Sequence, residues 1–216
     1  MIEVVRKYPV HTIAVLSFYY VVGVVGLSIG KTQPLFQALV PFTLLCSLYF
    51  LWLFQENLNL RVYLAGVAIF LAGFLVEVAG VNTGMIFGEY EYGKTLGFKL
   101  WNTPLMIGVN WLLLIFSCSA LTGMFIRNRW LKIFISSLLM VIYDIALEPV
   151  AIRLDMWNWA GKAVPLQNYV AWFVVSFILF IIFEYTVKQS RNKIAASLFI
   201  IQLMFFILLN LVFKIS

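Results

Sequence analysis

Seven long apolar segments constrain the fold of this chain more than any other feature of its sequence. A helix needs about 20 mostly apolar residues to cross the ~30 Å hydrocarbon core of a bilayer. Each segment is long enough, so the sequence predicts an all-α polytopic membrane protein, a bundle of about seven transmembrane helices without strands. The segments cover roughly residues 11–29, 34–54, 60–80, 103–126, 130–150, 165–187 and 194–213.

The composition agrees with a membrane environment. Hydrophobic residues make up 63% of the chain and charged residues 11%, whereas a soluble domain carries about 25% charged residues. No connection between the apolar segments is long enough to bury a core of its own. We therefore expect residues 1–216 to form a single transmembrane helical domain, in which Cys46 and Cys118 serve as small buried apolar residues.

The 15 lysines and arginines, which contribute to a net charge of +6, lie mostly between the apolar segments. Nine fall on the side of the membrane that holds the N-terminus and six on the opposite side. Since cytoplasmic loops are enriched in lysine and arginine, we expect a cytoplasmic N-terminus and an outside C-terminus in a bacterial cytoplasmic (inner) membrane. No basic face or base-reading motif accompanies these charges, which argues against nucleic-acid binding.

An internal echo links the third and fourth apolar segments to the fifth and sixth. Tyrosines follow Glu77 by 13 and 15 positions, and tryptophans follow Asp144 by the same two intervals. Each half continues with a Pro-Leu pair and, seven residues after the proline, a tryptophan. Two crossings separate the halves, so the pattern predicts a parallel repeat about an axis along the membrane normal. The echoed residues are Glu77, Tyr90, Tyr92, Pro104 and Trp111, then Asp144, Trp157, Trp159, Pro165 and Trp172.

Three carboxylic acids lie within or near the apolar segments, where an isolated charge costs about 2.5–3.5 kcal/mol. Glu77 is expected near the outer interface, Asp144 ~21 Å along its helix, and Glu148 one turn beyond Asp144 on the same face. Two neighbouring carboxyls in a low dielectric do not both ionise, so we expect one to retain its proton and to act as a general acid. Pro149 predicts that the helix kinks or ends after Glu148.

Other polar residues have structural interpretations. The alternative to catalysis is a structural network in which Arg153 or Lys99 neutralises the acids. Glu184 precedes Lys188 by four residues, a favourable helix pair at the cytoplasmic boundary. The last apolar segment carries two residues expected to form interhelical hydrogen bonds, Gln202 and Asn210.

The sequence lacks residues that several classes of membrane protein require. The single histidine, His11, does not supply the several histidines that hold a di-iron centre. The chain also has no Asp-rich diphosphate-binding run, and its last apolar segment has no central lysine for a retinal Schiff base. We therefore expect no metal and no cofactor, and acid–base chemistry on an apolar substrate.

A set of acids, aromatics and prolines between residues 77 and 172 occurs in a specific order. Its members are Glu77, Thr83-Gly84, Phe87-Gly88-Glu89-Tyr90-Glu91-Tyr92, Leu96-Gly97, Pro104-Leu105, Asn110-Trp111, Tyr143-Asp144, Leu147-Glu148-Pro149, Trp157-Asn158-Trp159, Pro165, Asn168-Tyr169 and Trp172. This set resembles the CruF-type carotenoid hydratases, membrane carotenoid-biosynthesis proteins that include γ-carotene 1′-hydroxylases and bisanhydrobacterioruberin hydratases.

The resemblance implies a carotenoid 1,2-hydratase, a hydro-lyase without a cofactor, that adds water across the terminal double bond of an acyclic carotenoid end. An acid protonates the alkene, a tertiary carbocation forms, and water captures it to give a tertiary alcohol. Aromatic faces stabilise such a cation by ~0.5–2 kcal/mol each when desolvated. The implied partners are a lipophilic carotenoid, water and the lipid bilayer, and contact with other carotenoid-pathway enzymes stays open.

Within this interpretation, the three acids have different expected roles. We expect Asp144 to donate the proton because it lies deepest, and Glu77 and Glu148 to share that proton or to orient water. Loop aromatics would cap the acids. For Trp111 and Trp172, lining of the site and core packing are equally open, and for Asn110 a role in the site and an interhelical hydrogen bond are equally open. The expected lining of the substrate and its cation is Tyr90, Tyr92, Asn110, Trp111, Tyr143, Trp157, Trp159, Asn168 and Trp172.

Other functions fit the same residues. A membrane lycopene cyclase would begin with the same protonation, but an internal alkene would capture the cation and the substrate mass would not change. A proton-coupled transporter would also place buried acids in a repeated scaffold. The acids and aromatic loops lie at one face, whereas alternating access needs a site near the midplane. A structural subunit is the remaining alternative.

Overall fold

The computed structural model describes residues 6–56, 58–161, 163–187 and 192–215, and within them eight helices and four short strands are defined. The strands are β1 (Tyr90–Tyr92), β2 (Lys99–Leu100), β3 (Thr103–Pro104) and β4 (Trp157–Trp159). Each of the seven predicted segments is largely helical, and the second holds two helices. The helices are α1 (Pro9–Ser28), α2 (Gln33–Ala38), α3 (Val40–Leu53), α4 (Leu60–Thr83), α5 (Leu105–Thr122), α6 (Arg129–Arg153), α7 (Leu166–Thr186) and α8 (Lys193–Ile215).

Six of these helices, all except α2 and α3, are long and apolar enough to span a membrane within the described ranges. Large apolar side chains such as Phe18, Leu64 and Val170 are exposed on the outside of the bundle. Lipid tails solvate such side chains as well as a protein core does, so this surface is stable in a bilayer. The protein is an all-α polytopic membrane protein, as its sequence predicts.

The second predicted crossing is divided at Leu39, between α2 and α3. Pro41 has no backbone N–H, so it cannot donate to the carbonyl of Gln37 and the helical ladder is interrupted there. Helix α3 has 14 residues and is therefore ~21 Å long, short of the hydrocarbon thickness. The divided crossing borders an apolar cavity described below.

Helix α5 lies at the centre of the bundle, and most of its residues are buried. It packs against α3, α4, α6, α7 and α8. Glycine allows the closest of these approaches, because a Cβ added to Gly73 of α4 would lie 2.5 Å from Cβ of Trp111. Close packing through glycine is common between membrane helices, where it adds van der Waals contact. It fixes Trp111 at the level of the buried acids.

The prediction of no strands is wrong for the two long connections. Strands β1 and β4 pair in antiparallel register, with Tyr90 opposite Trp159 and Tyr92 opposite Trp157. Three-residue strands are too short to be recognised by alternation in a sequence. Gly84 (φ +67°) ends α4 in the left-handed conformation, as expected of a glycine that lets the loop turn tightly. The paired strands cover one end of the bundle.

Helix α6 continues through Pro149 and ends at Arg153, so of the two outcomes predicted after Glu148, a kink or an end, the end is wrong. Proline is tolerated inside membrane helices when neighbouring groups bind the backbone it leaves unpaired. Asn210 of α8 donates its side-chain amide to the carbonyl oxygen of Ala146, at 2.7 Å, close to this position. The interhelical hydrogen bond predicted for Asn210 is confirmed.

Glu184 forms a buried ion pair at the opposite end of the bundle from β1 and β4. Its Oε1 lies 2.7 Å from Nζ of Lys132, and Ser119 donates a hydrogen bond to the same oxygen, also at 2.7 Å. The predicted partner, Lys188, lies outside the described residues. The structural role predicted for Glu184 is therefore supported, with Lys132 as the cation that pairs with it among the described residues.

Candidate active site

Three carboxylic acids are buried beneath the β1–β4 pair. Glu77 comes from α4, while Asp144 and Glu148 come from successive turns of α6. Their residue exposures are 3%, 0% and 2% respectively. Within the described ranges, the ion pair between Lys132 and Glu184 is the one salt bridge, so no lysine or arginine pairs with these three acids.

Lys99 and Arg153, which would neutralise the acids in a purely structural network, bind groups other than these acids. Lys99 donates to the backbone oxygen of Tyr92. Arg153 donates to the carbonyl of Phe213 at 2.9 Å, and its guanidinium lies 4.3 Å from the centre of the Phe213 ring. Neither contact neutralises a buried acid, so the hydrogen bonds around the acids must come from uncharged donors.

Glu77 accepts three hydrogen bonds from aromatic side chains. The hydroxyls of Tyr90 and Tyr92 donate to its Oε2 at 2.6 and 2.7 Å. The indole Nε1 of Trp111 donates to its Oε1 at 3.0 Å. Burial, reinforced by the nearby Glu77 carboxyl, raises the pKa of Tyr90 and Tyr92 well above the ordinary phenol value. Both phenols therefore remain donors at physiological pH.

Glu148 accepts its hydrogen bonds from β4. The indole Nε1 atoms of Trp157 and Trp159 donate to its Oε2 at 3.1 and 2.9 Å. Side chains two residues apart on a strand lie on the same face, which is why both indoles reach one carboxyl. The intervening Asn158 bonds instead to Asp155, at 3.3 Å. The predicted aromatic cap over the acids therefore consists of paired strands.

Asp144 has a sparser set of partners. The side-chain amide of Asn168 donates to its Oδ2 at 2.6 Å and makes a longer contact of 3.4 Å to Oε1 of Glu148. The other oxygen of Asp144, Oδ1, has no hydrogen-bond partner among the described residues. Asn168 therefore bridges the two acids of α6, and Asp144 lies one helical turn farther than Glu148 from the end of α6 that leads to β4.

The two halves of the sequence echo meet in this site. The Trp111 and Trp172 rings stack with centroids 4.5 Å apart and an interplanar angle of 22°. Pro104 and Pro165 each precede the first residue of a helix. This matched arrangement supports the predicted parallel repeat.

One detail of the echo is wrong, because the counterpart of Glu77 in hydrogen bonding is Glu148 and not Asp144. Helix α4 ends six residues after Glu77, and α6 ends five residues after Glu148. The two glutamates thus lie at similar depths below the paired strands. The intervals of 13 and 15 residues pointed to Asp144 instead of Glu148 because α6 runs past Pro149 and its connection to β4 is short.

Among the described residues, a small cavity beside Glu77 and Glu148 shares lining residues with two further spaces. The small cavity of about 20 Å³ is lined by Glu77, Glu148 and eight other residues, namely Phe87, Tyr90, Tyr92, Ile107, Trp157, Trp159, Asn168 and Trp172. An outer groove shares Tyr90 and Trp159 with this cavity. An apolar cavity of about 110 Å³ shares Ile107 and Trp157 with it. The small cavity therefore lies between a polar opening and an apolar space.

The predicted lining residues divide between these spaces. Asn110 and Tyr143 line the apolar cavity and not the small one. Trp111 contacts Glu77 and Trp172 directly. Asp144 is absent from the linings of both cavities.

Sequence reasoning missed Phe87 and Ile107, which line the small cavity. Phe87 had a weak signal, because it lies in the turn between Gly84 and Gly88 next to the aromatic strand. Ile107 is one of many aliphatic residues in α5 and had none. Within the described ranges, no group of three or more His, Cys, Asp or Glu side chains is arranged to hold a metal ion.

Comparison with known proteins identifies a relative and a family for this chain. The bisanhydrobacterioruberin hydratase of Haloarcula japonica is 27% identical over 133 residues, which is 58% of this chain and 45% of the relative. The chain thus spans less than half the length of the curated relative it matches. No solved structure matches significantly. A family model described as carotenoid biosynthesis protein matches residues 36–216, which include all three buried acids, and the chain therefore belongs to the carotenoid biosynthesis protein family.

Proposed function

We propose that this protein is a carotenoid hydratase that adds water across the terminal 1,2 double bond of an acyclic carotenoid end. The observation that carries the proposal is the small cavity lined by Glu77 and Glu148, which lies between a polar groove and an apolar cavity. An acid-catalysed hydration needs this arrangement, because its two reactants come from water and from lipid. The similarity to a bisanhydrobacterioruberin hydratase supports the same reaction class.

Water would enter from the outer groove, past Tyr90 and Trp159. A site needs at least about 10–15 Å³ to hold a water molecule, so the small cavity of about 20 Å³ has room for about one. The isoprenoid end would approach from the apolar cavity, past Ile107 and Trp157. Limiting water to about one molecule keeps bulk water away from the acid, so that its proton is transferred to the aligned alkene.

The reaction balances without any further reactant. A carboxylic acid transfers its proton to the less substituted carbon of the terminal double bond, which leaves a tertiary cation on the other carbon. Water then forms a C–O bond to the cation, and the resulting oxonium gives one proton to a carboxylate. The site ends with the number of protons it began with, so it needs neither oxidant nor reductant.

We propose that Asp144 and Glu148 share one proton and that Glu148 presents it to the alkene. Asn168 bridges the two carboxyls, and Glu148 lines the small cavity. The sequence-based hypothesis gave direct donation to Asp144 because of its depth. The absence of Asp144 from the cavity lining favours a role as the partner that sets the protonation of Glu148.

Glu77 is proposed as the stabilising carboxylate and the acceptor of the water proton. Its three aromatic donors favour its ionised form, because each of these hydrogen bonds strengthens with negative charge on the acceptor. Around it, Trp159 and Trp172 offer aromatic faces that stabilise a desolvated cation by ~0.5–2 kcal/mol each. The negative charge and the aromatic faces act on the same intermediate.

The proposal is tested by expressing the chain in a bacterium that accumulates lycopene and measuring pigment masses. The unaltered protein is expected to yield a product heavier than lycopene by one water. Glu148→Gln, Asp144→Asn and Glu77→Gln are each expected to accumulate in the membrane and to abolish most conversion, whereas Glu56→Gln, an exposed carboxyl in the α3–α4 connection, is expected to convert normally. A cyclised product of unchanged mass would contradict hydration.

We also propose that the protein lies in a bacterial inner membrane with its N-terminus in the cytoplasm and its C-terminus outside. Nine basic residues on the N-terminal side against six on the other support this orientation. The acids would then lie near the outer face of the membrane. Reporter domains fused to each terminus test the orientation, and a cytoplasmic C-terminal reporter would contradict it.

A further inference from the structure

A directed chain of hydrogen bonds in the bundle ends at Gln202 on α8. The hydroxyl of Ser47 donates to the carbonyl of Thr43 at 2.8 Å, which uses its single proton. The hydroxyl of Tyr20, 2.8 Å from Oγ of Ser47, must therefore donate to it. Nε2 of Gln202 in turn donates to the Tyr20 oxygen at 2.8 Å. This order fixes which end of the Gln202 amide is nitrogen and which is oxygen.

The oxygen left at the end of this chain has no partner. Oε1 of Gln202 makes no hydrogen bond among the described residues, although the residue is 2% exposed. Buried polar atoms in native proteins nearly always have a partner, and an exception points to a missing one. Gln202 also lines the apolar cavity of about 110 Å³. A ligand of this cavity that carries a hydrogen-bond donor would pair with this oxygen.

The position of the cavity indicates what kind of molecule carries that donor. Two of its lining residues, Val22 of α1 and Leu39 between α2 and α3, are exposed on the outside of the bundle. The cavity thus reaches from the lipid-facing surface to Ile107 and Trp157, which it shares with the acid cavity. An apolar cavity of about 150 Å³ holds a benzene molecule, so this one has room for about one isoprenoid unit.

We propose that the apolar cavity binds an isoprenoid end that carries a hydroxyl group and that Gln202 accepts a hydrogen bond from this hydroxyl through Oε1. The inference rests on the proposed function, which identifies the ligand as an isoprenoid. The hydroxyl comes from one of two sources with the same chemistry. It belongs to a substrate that carries it next to the reacting alkene, or to the product at the newly hydrated carbon.

The test compares three isoprenoids of two units each, which differ in the presence and position of a hydroxyl group and hardly in size. Myrcene has a terminal alkene and no hydroxyl, linalool keeps that alkene and carries a tertiary hydroxyl on the next unit, and myrcenol is myrcene hydrated at the terminal alkene. Binding is measured calorimetrically on the full chain in lipid nanodiscs, with empty nanodiscs subtracted. The unaltered protein is expected to bind at least one alcohol about tenfold more tightly than myrcene. Preference for linalool identifies a substrate hydroxyl, and preference for myrcenol a product hydroxyl.

Variants assign the preference to Gln202. Gln202→Met removes the acceptor at similar volume and is expected to bind the three compounds equally. If the methionine variant does not fold, Gln202→Asn replaces it. Its side chain is one methylene shorter, which moves the acceptor away, so the preference for an alcohol is again expected to fall. Met204→Leu, on an exposed position of the same helix, is expected to keep the preference.

Three results overturn the inference. They are equal binding of all three compounds by the unaltered protein, an undiminished preference in Gln202→Met, and binding of none of them. Turnover is not measured in this experiment. Selective binding of an alcohol by a protein that adds no water to carotenoids would therefore contradict the proposed function and leave the assignment of Gln202 standing.

Discussion

The hydrogen bonds to Glu77 predict a measurable coupling between this acid and Tyr92. Tyr92→Phe removes one donor to the buried carboxyl of Glu77, which we propose to be ionised, and Tyr92 itself is 6% exposed. A hydrogen bond to a charged group contributes about 1.5–3 kcal/mol, and one between neutral groups about 0.5–1.5 kcal/mol. Tyr92→Phe is therefore expected to cost about 1.5–3 kcal/mol of unfolding free energy in the unaltered protein. In a Glu77→Gln background the same change should cost about 1 kcal/mol less.

The assay is reversible unfolding in mixed micelles, followed by tryptophan fluorescence for the two single variants and the double variant. Tyr49→Phe is the matched control, because Tyr49 is 55% exposed on α3 and its hydroxyl contacts no buried acid. It is expected to change the unfolding free energy by less than about 0.5 kcal/mol. Equal costs of Tyr92→Phe in both backgrounds would refute an ionised Glu77 held by its phenol donors.

Two further predictions concern the other carboxyls. Trp159→Phe removes a donor to Glu148 and is expected to lower the rate of pigment conversion by about tenfold or more. The control Trp101→Phe, at a 61% exposed position, should convert normally. Equal rates for Trp159→Phe and the unaltered protein would remove the indole from the mechanism. Glu184→Gln leaves Lys132 buried without its partner and is expected to cost about 3–5 kcal/mol of unfolding free energy, part of which Lys132→Met in the same chain restores. Folded Glu184→Gln protein should retain conversion, since this pair lies at the far end of α6; loss of activity in the folded variant would contradict that separation.

The membrane fold was predictable because its signal is carried by composition over long windows. Twenty apolar residues in succession have few alternatives to a spanning helix, and each predicted segment is largely helical. The break at Leu39 depends on Pro41, whose effect on one backbone hydrogen bond does not alter the apolar pattern. The continuation of α6 through Pro149 and the nearby bond from Asn210 of α8 to Ala146 belong to the packed bundle, and no local sequence pattern records them.

The acids of the site were predictable for a related reason. A carboxyl such as Asp144 stands out in an apolar segment because its burial is costly without partners. The partners themselves were predicted less well. The intervals of 13 and 15 residues matched Trp157 and Trp159 to Asp144, whereas strand pairing directs both indoles to Glu148. The place of Ile107 in the cavity lining could not be predicted, because an aliphatic residue beside a cavity has the same sequence context as one in a packed core.

Incorporation of labelled water tests acid-catalysed hydration most directly. The purified protein in nanodiscs is supplied with an acyclic carotene in heavy water that carries an oxygen label. We predict a product with one deuterium on the carbon next to the alcohol carbon and the labelled oxygen in the hydroxyl, and no labelled product with Glu148→Gln. A product without the oxygen label, or with unchanged mass, would contradict the addition of water at the site of Glu77, Asp144 and Glu148.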